Sequence, residues 1–321
     1  MRQFSIVTPT FNRAKYLPRI YECLRQQNNI DFEWIIVDDG SSDNTKEIVE
    51  SLIDRDVYIK YIYQENAGQL SARNTGTKNA DSYILTKLDD DDLLCQGALE
   101  KVWNYFSIKT GKFQDNCVCL SGLCQYETGE IVGKKFPDDY FVSDHIRYRQ
   151  NKHIHGDKSE FYVTSIFKKY PFPVIQDEKN MPPHIVHERI ARDYTTLYVN
   201  HVFAIKNFME GGLSTQKYVY KYTKGSELYH NEASMPPFNL KLKIHHSSRY
   251  IFFAKKNKRK QIFKSAKNKK IFILGLCRYH MILLKMFLEK FHPFSVLIKI
   301  TANNNTKFVK KITSDDYTQK D

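Results

Sequence analysis

The glycine signatures that most often announce a bound nucleotide are missing from this chain. No G-x-G-x-x-G follows the first apolar run, and no G-x-x-x-x-G-K-[ST] occurs anywhere. A dinucleotide-binding Rossmann site and a P-loop are both disfavoured, so a bound diphosphate must be held by something other than a glycine cradle. Cysteine is sparse: six residues with no C-x-x-C pair, which read as buried thiols of a reducing compartment rather than a disulfide frame. Long apolar runs are absent too. Arg278, His280, Lys285, Glu289 and Lys290 interrupt the apolar stretches near the C-terminus, leaving nothing close to the roughly 20 residues that a membrane span needs. Met1 to Val7 moves straight into a strand pattern without the features of a signal peptide, and a cytoplasmic location is expected.

Acidic residues are scarce in one region only. The net charge is +13. Residues 241–321 carry 20 Lys and Arg against 4 Asp and Glu, whereas residues 1–240 carry 29 against 32. That division predicts a near-neutral domain over 1–240 and a basic region over 241–321, with different partners.

What the chain does have is a run of four carboxylates. Tyr83 to Leu88 is an apolar stretch suited to a buried strand, and Asp89, Asp90, Asp91 and Asp92 follow it directly. Adjacent like charges repel unless something cationic neutralises them. At the carboxyl end of a parallel strand they would face the crevice where open α/β sheets bind ligands. Oxygen ligands of this kind suit Mg²⁺ or Mn²⁺ shared with a substrate phosphate. A solvated acidic turn is the plain alternative.

In chain order, Phe4–Val7 reads as a strand closed by Thr8, Pro9 and Thr10. A helix follows over residues 15–27 with Leu17, Ile20, Tyr21 and Leu24 on one face. Phe32–Val37 is a second strand ending in Asp38, Asp39 and Gly40, and Asn44 with Glu47 resembles a capping box for the next helix. Residues 58–63 form a third strand. Helices carrying Arg73 and spanning residues 97–106 flank the acidic strand. Such alternation predicts βαβ units: an α/β protein with a doubly wound, mostly parallel sheet whose three polar loops share one edge.

Four motifs together resemble the family 2 glycosyltransferases: Ser5-Ile6-Val7-Thr8-Pro9-Thr10-Phe11-Asn12-Arg13, Val37-Asp38-Asp39-Gly40-Ser41-Ser42-Asp43, Asn66-Ala67-Gly68 with Ala72-Arg73-Asn74, and Leu88-Asp89-Asp90-Asp91-Asp92. The resemblance covers residues 1–110 strongly, thins after residue 130 and is lost by about residue 240. It implies the nucleotide-diphospho-sugar transferase fold, GT-A, divided into a nucleotide-sugar half (1–110) and an acceptor half (111–240). It further implies that Thr8, Pro9 and Thr10 line a nucleotide pocket, that Asp39 accepts a hydrogen bond from the base, typically uracil, and that Asp38 is its neighbour. Asp89 and Asp91 become an Asp-x-Asp pair with Asp90 between them, Asp89 towards ribose or metal and Asp91 on a Mn²⁺ or Mg²⁺ ion. Arg73 balances the diphosphate or the acidic loop. The implied reaction is inverting transfer from a nucleotide-diphospho-sugar, a UDP-sugar, to a glycan or lipid-linked glycan acceptor. A segment after Phe172-Pro173 supplies the base, Glu178 first and Asp177 in reserve, with Asp157 and His184 as acceptor contacts. For His184 the plain alternative is a lone surface histidine. Gly211 and Gly212 resemble a hinge. The chain has only Trp34 and Trp103 and no Gln-x-x-Arg-Trp, the signature of processive members, so single addition is expected.

The basic region invites three readings. Residues 241–270 hold 12 Lys and Arg with no acid, interleaved with aromatics, and residues 271–298 are strongly apolar. An amphipathic segment lying on an anionic inner leaflet fits this pattern, which would make the protein peripheral on the inner face of the cell membrane. A helical bundle with a solvated basic face is the second reading. Nucleic-acid binding is the third and is not expected, because no recognised module accompanies the charge. A nucleotide-sugar-binding protein without catalysis is the remaining alternative for the chain as a whole.

Overall fold

The computed structural model describes residues 1–53, 56–107, 116–207 and 222–290. The chain forms two compact units, Met1–Glu210 and Gly211–Asp321. The charge-based line at residue 240 falls inside the second unit, at the start of its second described helix.

Over its described residues the first unit is built on one sheet of nine strands. In chain order its elements are β1 (Arg2–Thr10), α1 (Leu17–Arg25), β2 (Phe32–Asp38), α2 (Thr45–Leu52), β3 (Ile59–Tyr63), α3 (Gln69–Asn79), β4 (Ser82–Lys87), β5 (Leu93–Leu94), α4 (Ala98–Ser107), β6 (Cys117–Tyr126), β7 (Phe141–Ser143), β8 (Lys158–Val163), α5 (Thr164–Phe167), α6 (His184–Ile190) and β9 (Thr195–Lys206). The sheet runs β3-β2-β1-β4-β8-β6-β9-β5, with β7 on β9. β3, β2, β1 and β4 pair in parallel, as the alternating pattern predicts. β8 inserts antiparallel between β4 and β6, which a strand-by-strand reading of one chain does not reveal.

The parallel half folds because its strands are apolar on both faces and its helices on one. Phe4, Ile6, Trp34, Ile36 and Ile84 are fully buried, and Leu17, Ile20, Tyr21 and Leu24 of α1 pack into the same core. α3 lies close to the sheet at Gly76. A Cβ there would come within 2.3 Å of Val7 Cγ1, so only glycine permits that approach. α2 departs from the expected capping box. Asn44 makes no side-chain cap; instead Asp43 accepts a hydrogen bond from the Thr45 amide at 3.2 Å. Asp and Asn are equally able to cap, and the geometry selects the residue one step earlier.

The register brings the polar ends together. β1 pairs with β2 up to Thr10 opposite Asp38, and with β4 up to Val7 opposite Lys87. The loops after β1, β2 and β4 therefore leave the sheet at one edge.

The second unit is helical over its described residues: α7 (Thr223–Ala233), α8 (Leu240–Lys256), α9 (Ile262–Ser265) and α10 (Lys269–Lys290). Asn239 caps α8 through the Leu242 amide at 2.9 Å. α10 crosses α8 at Gly275, where a Cβ would lie 2.4 Å from Ser247 Oγ. Tyr250, Ile251, Ala254, Ala266 and Phe272 form the small core. Buried Glu227 and Glu232 pair with Arg259 and Lys267. Gly211 and Gly212, the residues expected to form a hinge, and residues 291–298 of the expected membrane-binding stretch lie outside the described residues.

Candidate active site

The carboxylate run forms the turn after β4, and its four members alternate. The side chains of Asp89 and Asp91 are 28% and 21% exposed, those of Asp90 and Asp92 only 8% and 5%. Each has a cation. Arg73 of α3 reaches Asp89 Oδ1 at 2.5 Å, and Arg13 spans Asp90 at 3.0 Å and Asp91 at 2.8 Å. Lys206, the last residue of β9, pairs with Asp92 and lies 3.8 Å from Asp157. Burial opposes ionisation of Asp89, but Arg73, Lys206 and Lys87 outweigh it and hold its pKa down at about 2. Lys206 in turn is held well above the usual lysine range by Asp92, Asp157 and Asp89 despite burial.

This arrangement bears on a metal. Among the described residues no three His, Cys, Asp or Glu side chains converge as a ready-made cage. Mg²⁺ and Mn²⁺ of the kind shared with a phosphate need only one or two protein carboxylates, the remaining positions going to phosphate and water. Asp89 and Asp91 are the two that face outward, and they meet that requirement. Asp90 and Asp92 are turned inward to Thr10, Arg13 and Lys206.

The other expected nucleotide residues are placed as follows. Thr8 is fully buried and its hydroxyl accepts from Trp34 Nε1 at 2.9 Å, so its side chain is committed to the core. Pro9 is buried in β1, and the Thr10 hydroxyl donates to Asp90 at 3.0 Å. Asp38 accepts from the Ser41 amide at 2.7 Å and from the Tyr61 hydroxyl at 2.7 Å, which braces the turn. Asp39 accepts from Gln64 Nε2 at 2.7 Å, the Ala67 amide at 2.9 Å and the Gly68 amide at 2.8 Å. It thus anchors the loop that opens α3. Asn12, given no role from sequence, accepts from the Ser42 amide at 2.7 Å and ties the β1 loop to the β2 loop.

The same loop carries the segment expected to hold the base. Gly68 sits at φ +95°, and a Cβ there would lie 2.0 Å from Lys179 O. Lys179 Nζ donates to Asn66 Oδ1. Asn74 and Phe172 exchange two hydrogen bonds of 2.8 Å, side-chain amide to backbone in both directions. Asn74 of α3 and Asn66 in the loop before it therefore fasten residues 172–179, and Gly68 leaves room for Lys179. Glu178 and Lys179 line a shallow cleft with Ala67, Leu70 and Ser71. Asp177 is exposed at a left-handed turn position, φ 66°.

A second polar cluster, unread in the sequence, lies beneath this edge. Glu160 of β8 is 3.1 Å from His187 Nδ1, 3.6 Å from Arg149 and 3.9 Å from Lys87. Lys87 Nζ is 3.2 Å from His187 Nε2. An ammonium only donates, so Nε2 accepts and Nδ1–H points to the Glu160 and Tyr162 oxygens. His145 stacks on His187 with ring centroids 5.6 Å apart. His184 is half-buried in α6, not the lone surface histidine of the alternative reading, because the α6 face that carries His187 turns inward. Burial, with Arg149 and Lys87, pushes its pKa down to about 4, and pushes His145 and His187 well below the usual range. Asp157 is exposed beside Lys206. All six cysteines are free thiols; three are buried, two half-buried and Cys277 exposed.

A mostly parallel sheet with these loops at one edge, a carboxylate turn after β4 and an antiparallel β8 is the GT-A nucleotide-diphospho-sugar transferase fold. Residues 5–159 match the profile of Glycosyl transferase family 2. A Campylobacter jejuni protein named GalNAc(5)-diNAcBac-PP-undecaprenol beta-1,3-glucosyltransferase is 31% identical over 171 residues, 53% of this chain and 52% of that protein. The chain thus matches about half the length of that relative. Glycosyltransferase GlyG of Streptococcus pneumoniae is 25% identical over 69% of this chain and 71% of its own length. Among solved structures, S. aureus TarS 1-349 in complex with UDP-GlcNAc superimposes with a TM-score of 0.59 at 18% identity, covering 86% of this chain and 80% of that one. That likeness establishes the fold.

Two outcomes are expected from this geometry. Asp39→Ala should lower stability as well as nucleotide affinity, because it frees two backbone amides and Gln64; hydrogen bonds to a charged group contribute roughly 1.5–3 kcal/mol each. Urea unfolding and UDP titration of the variant separate the roles, and lost UDP affinity with unchanged stability would leave Asp39 as a reader of the base alone. The second concerns pH. Histidines whose pKa is depressed in the fold bind protons only when unfolded, so their contribution is present above about pH 6.5 and is lost as pH falls towards 4. His184→Gln should narrow the difference in melting temperature between about pH 7.5 and about pH 5, worth at most about 2 kcal/mol. An unchanged difference would place His184 outside the buried cluster.

Proposed function

We propose that the chain transfers one sugar from a nucleotide-diphospho-sugar, a UDP-sugar, to a hydroxyl of a polysaccharide or lipid-linked glycan, with inversion at the anomeric carbon. The observation that carries this is the alternation along Asp89–Asp92: all four carboxylates are paired with cations, yet Asp89 and Asp91 stay part-exposed at the sheet edge while Asp90 and Asp92 are buried. A purely structural acidic turn has no reason to keep Asp89 and Asp91 presented beside a nucleotide-type loop. The UDP-sugar is supported by the TarS structure with UDP-GlcNAc, and a lipid-linked acceptor by the undecaprenol-linked substrate in the Campylobacter relative's name.

In this reading Asp89 and Asp91 would hold Mn²⁺ or Mg²⁺, which when bound supplies Lewis-acid compensation for charge on the departing diphosphate. Arg13 and Arg73, already at the turn, are positioned to offset phosphate charge. Asp39 and the loop that it anchors shape the base pocket. Glu178 is the preferred general base: its segment is fastened by Asn74 and Asn66, so a proton acceptor there is held in register with the donor site. Asp177, at the exposed tip of the turn, is the reserve. His184, with its pKa near 4, stays neutral at physiological pH and can accept a hydrogen bond from an acceptor hydroxyl.

Turnover of a panel of UDP-, GDP- and dTDP-sugars with Mn²⁺ tests the proposal. Asp91→Asn should reduce transfer by roughly two orders of magnitude, on the several kcal/mol that a Lewis acid supplies, while melting stays near wild type. Retained metal-dependent transfer in that variant would remove Asp91 from the metal. Donor binding without turnover by the wild-type protein would support a nucleotide-sugar-binding protein that does not catalyse.

A further inference from the structure

α10 has two faces. Ile271, Phe272 and Gly275 are buried towards α8, with Leu276 and Tyr279 packed beside them. Around the helix, Ile273, Leu274, Met281 and Leu284 are between 45% and 63% exposed, and Cys277 is exposed among them; past Tyr279 the inward side opens as well, with Leu283 and Met286 at 40% and 46%. Positions 273, 277, 281 and 284 are spaced 4, 4 and 3 apart, so they fall on one stripe of a 3.6-residue helix. Lys270 lies one turn before Ile273 and Leu274 on the same side. Single exposed apolar residues need no explanation, but a continuous stripe of them does.

The charge beside the stripe is of one sign. Between Ala233 and Leu288 the sequence holds no Asp or Glu and 14 Lys and Arg. Lys264, Lys267, Lys269 and Lys270 cluster at the start of α10, all exposed. No described helix is long and apolar enough to cross a membrane.

We propose that the stripe on α10 is a membrane-docking surface, lying flat in the interface of an anionic bilayer with the flanking lysines on the headgroups. An apolar stripe bordered by basic residues is the pattern of helices that lie in a membrane interface, and anionic lipid attracts the lysines where a neutral surface does not. The same charge argues against a second copy as occupant. A two-fold interface uses one patch on both subunits, and this patch offers no carboxylate to meet the lysines of its copy. This surface goes beyond the donor and acceptor reading and does not depend on it. Where that reading holds, docking would bring the site to a lipid-linked acceptor at high local concentration.

Flotation of the full chain with vesicles of phosphatidylcholine alone, or containing about one third phosphatidylglycerol, tests the surface directly. Binding should require the anionic lipid and fall by at least about tenfold when salt is raised from about 0.1 M to about 0.5 M. Leu274→Glu with Leu284→Glu, both exposed positions, should abolish flotation while far-UV circular dichroism and the melting temperature remain. Replacing Lys264, Lys269 and Lys270 with Gln should weaken it by about tenfold or more. Equal binding to neutral and anionic vesicles would overturn the proposal. So would full binding by the double Glu variant, or a wild-type dimer in sedimentation that this variant dissociates.

Discussion

Four carboxylates side by side at the end of a buried strand are a cost that the first unit must offset. The effective penalty for burying an unpaired ion is several kcal/mol. The cations come from three distant places: Arg13 after β1, Arg73 in α3 and Lys206 at the end of β9. The ion pairs therefore tie the first strand, the third helix and the last strand to one turn. Asp92 and Lys206 are 114 residues apart, so this part of the site closes only once the whole sheet has formed.

The fold could be read from sequence where each signal was local. The face of α1, the parallel order of β1 to β4 and the three polar loops at one edge follow from periodicity and alternation. Thr8 shows the limit. Its place beside the motif loop suggests a nucleotide contact, yet Trp34, buried on the neighbouring strand, takes its hydroxyl. Lys206 left no trace because a single lysine at a strand end has no period and no motif. The cluster of Lys87, Glu160, Arg149 and His187 was hidden for the same reason: four separate stretches supply one residue each, and the antiparallel placement of β8 puts Glu160 among them. In the basic region the broken apolar runs over 271–286 belong to a single helix, some facing inward and some outward.

The motif Asn66-Ala67-Gly68 with Ala72-Arg73-Asn74 has a physical meaning that a pattern match does not convey. Gly68 takes its amide to Asp39 and leaves room for Lys179, Arg73 neutralises Asp89, and Asn74 clamps Phe172. One short stretch thus couples the loops after β2 and β4 to the segment that carries Glu178. A change at Gly68 or Asn74 would shift Glu178 relative to those loops without touching it.

The central claim is that Asp89 and Asp91 hold a divalent cation together with the diphosphate of the donor. Mn²⁺ titration followed by electron paramagnetic resonance, with and without UDP, addresses it most directly. The account predicts weak Mn²⁺ binding to the chain alone and stoichiometric binding once UDP is present, because two carboxylates supply only part of the coordination shell. UDP affinity that is the same with and without Mn²⁺, with no change in the spectrum on adding UDP, would contradict it.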